Sequence, residues 1–156
     1  MELNYMKNIE VENKGIDDGL FNKLVAVFEK SPSLNTLGIT LLYLGHGTVG
    51  MRMTARQEYT TVMRRLHGGL IATLADTAMG WAVLSLGRPC VTVDMTLNYF
   101  APVFETTELT AKGYVIHDGK NTVITEAELF VNNEKLVAKS RGTFFVNPQA
   151  DMFEAY

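Results

Sequence analysis

The sequence predicts an α+β domain in which one antiparallel sheet wraps one long central helix. Three observations carry this. Residues 67–87, HGGLIATLADTAMGWAVLSLG, are almost wholly apolar or small, with His67 and Asp76 as the ionisable side chains. Segments on both sides alternate apolar and polar residues, the period of strands. The later segments are joined by tight turns, and strands joined that way run antiparallel. One sheet covering one helix is the simplest layer arrangement for such an order.

The apolar run is read as a helix from about Gly69. At 3.6 residues per turn, Gly69, Ala72, Thr73, Gly80 and Val83 share a face with Asp76, while Ile71, Leu74, Ala78, Trp81 and Ser85 lie opposite. One face is bulky and the other mostly small, so another backbone or a slender ligand can approach the Asp76 side. A helix that is apolar all round is a buried one, and a lone carboxylate within it needs explaining. The first N–H groups of a helix lack intrahelical partners, and its dipole favours negative charge there. Gly68 and Gly69 leave those amides unscreened. Donors for an oxyanion and a carboxylate two turns later thus lie along one groove. A buried aspartate also accepts purely structural hydrogen bonds, so the helix alone leaves both readings open. A membrane span is disfavoured by the length of the run and by its central aspartate.

The other elements follow in order. Residues 1–16 read as a polar lead-in without the apolar stretch of a signal peptide, which makes the cytoplasm the default setting. Leu20, Phe21, Leu24, Val27 and Phe28 recur at helical spacing, Asp17 or Asp18 can cap the start, and Ser31-Pro32 ends the helix. Leu37, Ile39, Leu41 and Tyr43 alternate, Gly45-His46-Gly47 turns, and Val49, Met51 and Met53 complete a hairpin. Residues 55–66 read as a loop over a cleft. After Gly87-Arg88-Pro89 come four strands. The first has Val91, Val93, Met95, Leu97 and Tyr99 on one side and Thr92, Asp94, Thr96 and Asn98 on the other. The second runs from about Glu108 to His117. Asp118-Gly119 is a strong hairpin signal. The third runs from about Asn121 to Val131, and Asn132-Asn133 makes the next turn. The fourth, from about Lys135 to Val146, places Leu136, Ala138, Ser140, Gly142 and Phe144 on one face. The expected division is a lead-in (1–16), a single domain (17–148) and a tail (149–156).

The length of 156 residues suits one domain, and 47% hydrophobic with 20% charged residues is ordinary for a soluble globular protein. The net charge of −3, with no basic run, argues against nucleic-acid and membrane-surface roles. One cysteine, Cys90, excludes an intramolecular disulfide. No His, Cys and carboxylate cluster has metal spacing. Neither Ser85 nor Cys90 sits in a nucleophile elbow, which argues against a serine or cysteine hydrolase. His46 and His117 read as surface residues.

His67-Gly68-Gly69 followed by Leu74-Ala75-Asp76-Thr77-Ala78, and then the strand VTVDMTLNYFAPV (91–103), resembles the hotdog-fold thioesterases of the phenylacetate-pathway (PaaI-like) and thioesterase-superfamily type. The resemblance spans about residues 34–146. It implies that Asp76 is the catalytic carboxylate, as general base or nucleophile, and that the Gly68 amide polarises the thioester carbonyl. It further implies that His67 positions the thioester and that the Thr92 hydroxyl helps place water. Gly69, Thr61, Thr73, Arg64 and Arg65 become candidate substrate-binding residues. The arginines stand where phosphates of coenzyme A could meet them, although a solvated loop is the plainer reading. No metal or cofactor is implied, coenzyme A entering as part of the substrate. The implied partners are a small acyl-CoA and further copies of the chain, a dimer at least and commonly a tetramer.

One departure stands out. Relatives often carry Asn or Gln six residues before the motif histidine, where this chain has Thr61, which is shorter and lacks the amide. The expected function is hydrolysis of an acyl- or aryl-acyl-CoA. Apolar surroundings disfavour the charged form of a carboxylate, which suits a base near neutral pH. The alternatives are a non-catalytic acyl-CoA-binding protein and, further off, an acyl-thioester dehydratase or hydratase.

Overall fold

The computed structural model describes residues 10–147 together with 149 and 150. Most of the tail and the first nine residues of the lead-in therefore lie outside the described residues. The elements run β1 (Glu12–Lys14), α1 (Asp18–Lys30), α2 (Pro32–Leu37), β2 (Thr40–Gly45), β3 (Thr48–Thr54), α3 (Gly68–Leu84), β4 (Cys90–Tyr99), β5 (Glu108–Asp118), β6 (Thr122–Val131) and β7 (Lys135–Val146). Among the described residues seven strands form one sheet in the order β1-β2-β3-β5-β6-β7-β4. Every neighbouring pair is antiparallel except β1 with β2. Helix α3 packs across β3 to β7, as expected of a sheet wrapping its central helix.

The helix signals hold. Asp17 caps α1, its carboxylate accepting from the Leu20 amide at 2.9 Å. Leu24 and Phe28 are its buried residues. The Phe28 ring meets Trp81 of α3 edge-on, with centroids 5.0 Å apart. Ser31-Pro32 ends α1, but the chain then turns at once into α2, because proline suits a first helical position. Leu37 is therefore the last residue of α2 and does not join the strand pattern. Gly38, at φ 67°, closes α2 in the left-handed conformation glycine tolerates.

Three strand expectations are corrected, two of them by bulges that a strict period of 2 cannot show. In β4 the register slips between Thr92 and Asp94. Thr92 then pairs with the core residue Phe144 and shares the helix-facing side with Met95, Leu97 and Tyr99, instead of lying opposite them. A second slip opposite Leu129 and Phe130 leaves Val137 buried and turns Leu136 outward. A bulge re-aims side chains in this way while keeping the strand in the sheet. The third correction is in the lead-in, where residues 12–14 form an edge strand paired parallel with β2. The tight turns hold: Asn132 and Asn133 both have positive φ, and His46 and His117 are exposed.

The sheet has two unlike ends. The β1 edge is three residues long, whereas β4 presents ten residues with Val91 65%, Val93 60% and Tyr99 52% exposed. Among the described residues no helix is long and apolar enough to cross a membrane.

Candidate active site

The site lies between the small face of α3 and the helix-facing side of β4. Ile71, Leu74, Ala78, Trp81 and Ser85 are all buried, as the bulky face should be. Gly69 is exposed, and Ala72, Thr73, Asp76, Thr77 and Gly80 are half-buried, so the small face stays open. Val83, expected on that open face, is fully buried at the C-terminal end of α3. Asp76 is thus only half-buried.

Thr92 Oγ1 donates to Asp76 Oδ1 at 2.8 Å. The β4 bulge makes this bond possible by turning Thr92 toward α3. Among the described residues Asp76 Oδ2 has no protein partner, so one carboxylate oxygen is fixed and the other is available. Cys90, on the same strand, points its thiol at the Gly80 carbonyl, 3.7 Å away. Burial pushes that thiol up to about 12, and the nearby Asp76 carboxylate adds to the shift. It is protonated at neutral pH and unsuited to nucleophilic attack.

At the head of α3, His67 takes the cap position with extended φ and ψ, and its side chain makes no capping bond. The His67 amide donates to the Tyr59 carbonyl at 3.0 Å, and its own carbonyl accepts from Leu70 at 2.9 Å. The imidazole is exposed. The amides of Gly68 and Gly69 find no protein acceptor among the described residues, and a Cβ on Gly69 would meet open space. Two unengaged N–H groups at a helix start are suited to an anionic oxygen. Tyr99, whose place in the alternating strand pattern gives no sign of a site role, donates its hydroxyl to the Gly68 carbonyl at 2.8 Å.

The remaining candidates divide. Thr73 Oγ1 donates back to the Gly69 carbonyl at 2.9 Å and Thr77 Oγ1 to the Thr73 carbonyl at 2.7 Å, so both hydroxyl protons are used within the helix. Thr61 builds its own loop: its amide donates to the Arg65 carbonyl at 2.8 Å and its hydroxyl accepts from the Met63 amide at 3.3 Å. Arg64 adopts a left-handed φ of 57° and is paired with Glu105. Arg65 is exposed, its guanidinium 6.0 Å from the centre of the Phe104 ring. The 55–66 segment is more ordered than a plain loop, with a 3-10 turn over Gln57–Tyr59 whose Tyr59 hydroxyl donates to the Thr36 carbonyl at 2.7 Å. Asp76 stands eight residues beyond Gly68 on one helix, about 12 Å along its axis. The two cannot touch one thioester group within a single protomer.

Comparison with known proteins bears on the fold and the family. The family model described as the thioesterase superfamily matches residues 63–138, which contain His67, Gly68, Asp76 and Thr92. The chain is 32% identical over 117 residues to the acyl-coenzyme A thioesterase PaaI of Escherichia coli, covering 75% of this chain and 84% of that one. It is 34% identical over 108 residues to human acyl-coenzyme A thioesterase 13, covering 67% of this chain and 77% of that one. The solved structure of E. coli PaaI superposes with a TM-score of 0.81 at 28% identity, over 85% of this chain and 96% of that chain. A hypothetical thioesterase of Streptococcus pneumoniae TIGR4, solved with coenzyme A, gives 0.69 at 26% identity over 72% of this chain and 91% of that chain. Sheet, helix, motif and sequence likeness converge, and the chain belongs to the thioesterase superfamily as a PaaI-like hotdog thioester hydrolase.

Proposed function

We propose that the protein hydrolyses an acyl-CoA thioester to a free acid and coenzyme A at the groove between α3 and β4. The observation that carries this is the Asp76 carboxylate, held through one oxygen by Thr92 with the other oxygen open. Asp76 takes a proton from water, and the water oxygen bonds to the carbonyl carbon. The resulting oxyanion rests on the Gly68 amide. Its collapse breaks the C–S bond, and the departing thiolate receives the proton held by Asp76. Direct attack by Asp76 is the competing route. Single turnover in ¹⁸O water separates them: water activated by Asp76 carries the label into the released acid, whereas an anhydride opened by water at the Asp76 carbon leaves the label on Asp76 and releases an unlabelled acid. Arg65 is the better placed of the two arginines for a coenzyme A phosphate, since Glu105 already engages Arg64. The coenzyme A in the streptococcal structure supports this choice of leaving group.

The working unit in this reading is a homodimer. The long exposed β4 edge offers unpaired backbone groups and apolar side chains to a second copy. Two copies paired there by a twofold axis run their α3 helices antiparallel. Gly68 of one protomer can then approach Asp76 of the other, which removes the 12 Å problem.

The test begins with thiol release from aryl and aliphatic acyl-CoAs by wild type and Asp76→Asn. Loss of general-base action lowers the rate by about 10³-fold while the fold persists. Gly68→Pro deletes the amide at a first helical position whose backbone accepts proline, after a His67 already extended, with the Tyr99 hydroxyl 3.3 Å from the new Cβ having to give slightly. Each variant is expected to be inactive alone. Co-refolded in equal amounts they should regain about a quarter of the wild-type rate, because half of the dimers are mixed and each of those has one intact site. No regain would overturn the shared site. Acyl-CoA binding without thiol release would make the protein a non-catalytic binder, and an enoyl product without free thiol would make it a dehydratase or hydratase.

A further inference from the structure

We propose that Tyr99 is a positioning residue for the thioester oxygen, locking the Gly68–Gly69 peptide through its hydroxyl so that the adjoining amides hold one direction. This rests on the reading of the helix start as the carbonyl site.

Three observations converge on it. The Tyr99 hydroxyl donates to the Gly68 carbonyl at 2.8 Å. The ring end also closes on the Gly68 backbone, since a Cβ there would lie 3.3 Å from the hydroxyl oxygen and 3.4 Å from the carbon bearing it. Finally, the β4 register that puts Tyr99 opposite Ala138 places it on the helix-facing side with Thr92, one near each end of the groove. Thr92 fixes the carboxylate of one shared site and Tyr99 the amide end of the other, so each β4 strand orients one half of both sites in the dimer.

The physical reason is local. Two consecutive glycines at a helix start bring no side chains to steady their peptide planes, which beyond the backbone bonds of α3 depend on their neighbours. The His67 carbonyl, on the peptide that carries the Gly68 amide, already accepts from Leu70. The next peptide gains its lateral tether from Tyr99. A donor bonded to a carbonyl also polarises the N–H of the same peptide, here that of Gly69. Preorganised donors stabilise developing charge because they need not reorient as it forms. Tyr99 never touches the substrate in this account and acts through the peptide it holds.

The test is Tyr99→Phe, which keeps the ring and removes the bond. Activity should show kcat lowered about 10-fold with KM within about twofold, because the tether acts on the transition state. A second readout does not depend on turnover. The amide proton resonance of Gly69 in a ¹⁵N-labelled wild type should move upfield in Tyr99→Phe, while amides in the buried half of α3 stay in place. An unmoved Gly69 resonance, or an unchanged kcat in an active enzyme, overturns the proposal. A KM that rises as much as kcat falls would do the same, as it marks lost binding. If wild type releases no thiol from any acyl-CoA, the hydrolytic reading fails while the Gly69 resonance still decides whether Tyr99 sets that peptide.

Discussion

Helix α3 has two sides built on opposite rules. Its buried side carries Ile71, Leu74, Ala78 and Trp81 at 8% exposure or less. Its open side carries Gly69, Thr73, Asp76 and Gly80, with two threonine hydroxyls turned back on the helix and a carboxylate left half-exposed. A glycine inside a helix costs about 1 kcal/mol relative to alanine. At Gly80 a Cβ would already lie 3.4 Å from the Phe144 ring. On the proposed mechanism, stability and chemistry occupy separate faces of one element. Substitutions on the two faces should therefore fail differently.

The largest effect belongs on the buried side. Gly113 of β5 passes so close to α3 that a Cβ there would lie 2.4 Å from the Ala78 carbonyl oxygen. Neither backbone can yield without moving the helix from the sheet. Gly113→Ala should cost about 3 kcal/mol by overpacking and lower Tm by about 10 °C. At a temperature where the variant is folded, its KM should be near that of wild type. Thermal unfolding followed by circular dichroism, with kinetics at low temperature, measures both. A Tm within 2 °C of wild type, on the order of what a neutral change allows, would mean the helix is not held where its buried side requires.

The open side should answer in rate and not in stability. Thr92→Val removes the hydroxyl that fixes Asp76 Oδ1 and keeps the β-branched shape. A lost hydrogen bond to a charged group is worth about 1.5 kcal/mol, so kcat should fall about 10-fold with Tm little changed. Thr92→Ser should restore most of it. A Thr92→Val enzyme with full kcat would show that Asp76 needs no orienting partner.

These faces were not equally legible in the sequence. The buried side of α3 follows from a 3.6-residue period, and the hairpins from Asp118-Gly119 and Asn132-Asn133, because those signals are local. The motif itself pointed to Asp76, Gly68 and Thr92. Which way Thr92 faces was not legible, since strict alternation sends it away from α3 and only the slip between Thr92 and Asp94 brings it back. A bulge costs one unpaired residue and leaves no mark in composition. Tyr99 was missed for a related reason: it read as one apolar strand position among several, and its bond to Gly68 spans 31 residues. The parallel pairing of residues 12–14 with β2 and the α2 turn after Pro32 likewise depend on what the segment packs against.

The outward face of the sheet provides the control, far from the groove. Glu126 is almost covered there, and it accepts from Arg141 at 2.6 Å and from Tyr114 at 2.9 Å, with Lys139 at 3.0 Å. The Arg141 and Lys139 hydrogen bonds hold its carboxyl down to about 2 from an ordinary 4.5, while Tyr114, burdened by burial and by this same carboxylate, is pushed up. A depressed carboxyl contributes stability that is complete above the unfolded value and lost as pH falls through the folded one. Arg141 is largely and Lys139 partly open to water, so the pairing is worth only about 1 kcal/mol. Glu126→Gln should therefore be about 1 kcal/mol less stable than wild type at pH 7, with kcat unchanged. The gap should narrow as pH drops below about 4.5 and vanish only below about 2, once the wild-type carboxyl is itself protonated. Denaturant melts across that range measure it. A gap that stays constant with pH would assign the loss to packing instead of charge, and a changed kcat would mean that the sheet's outer face and the groove are coupled.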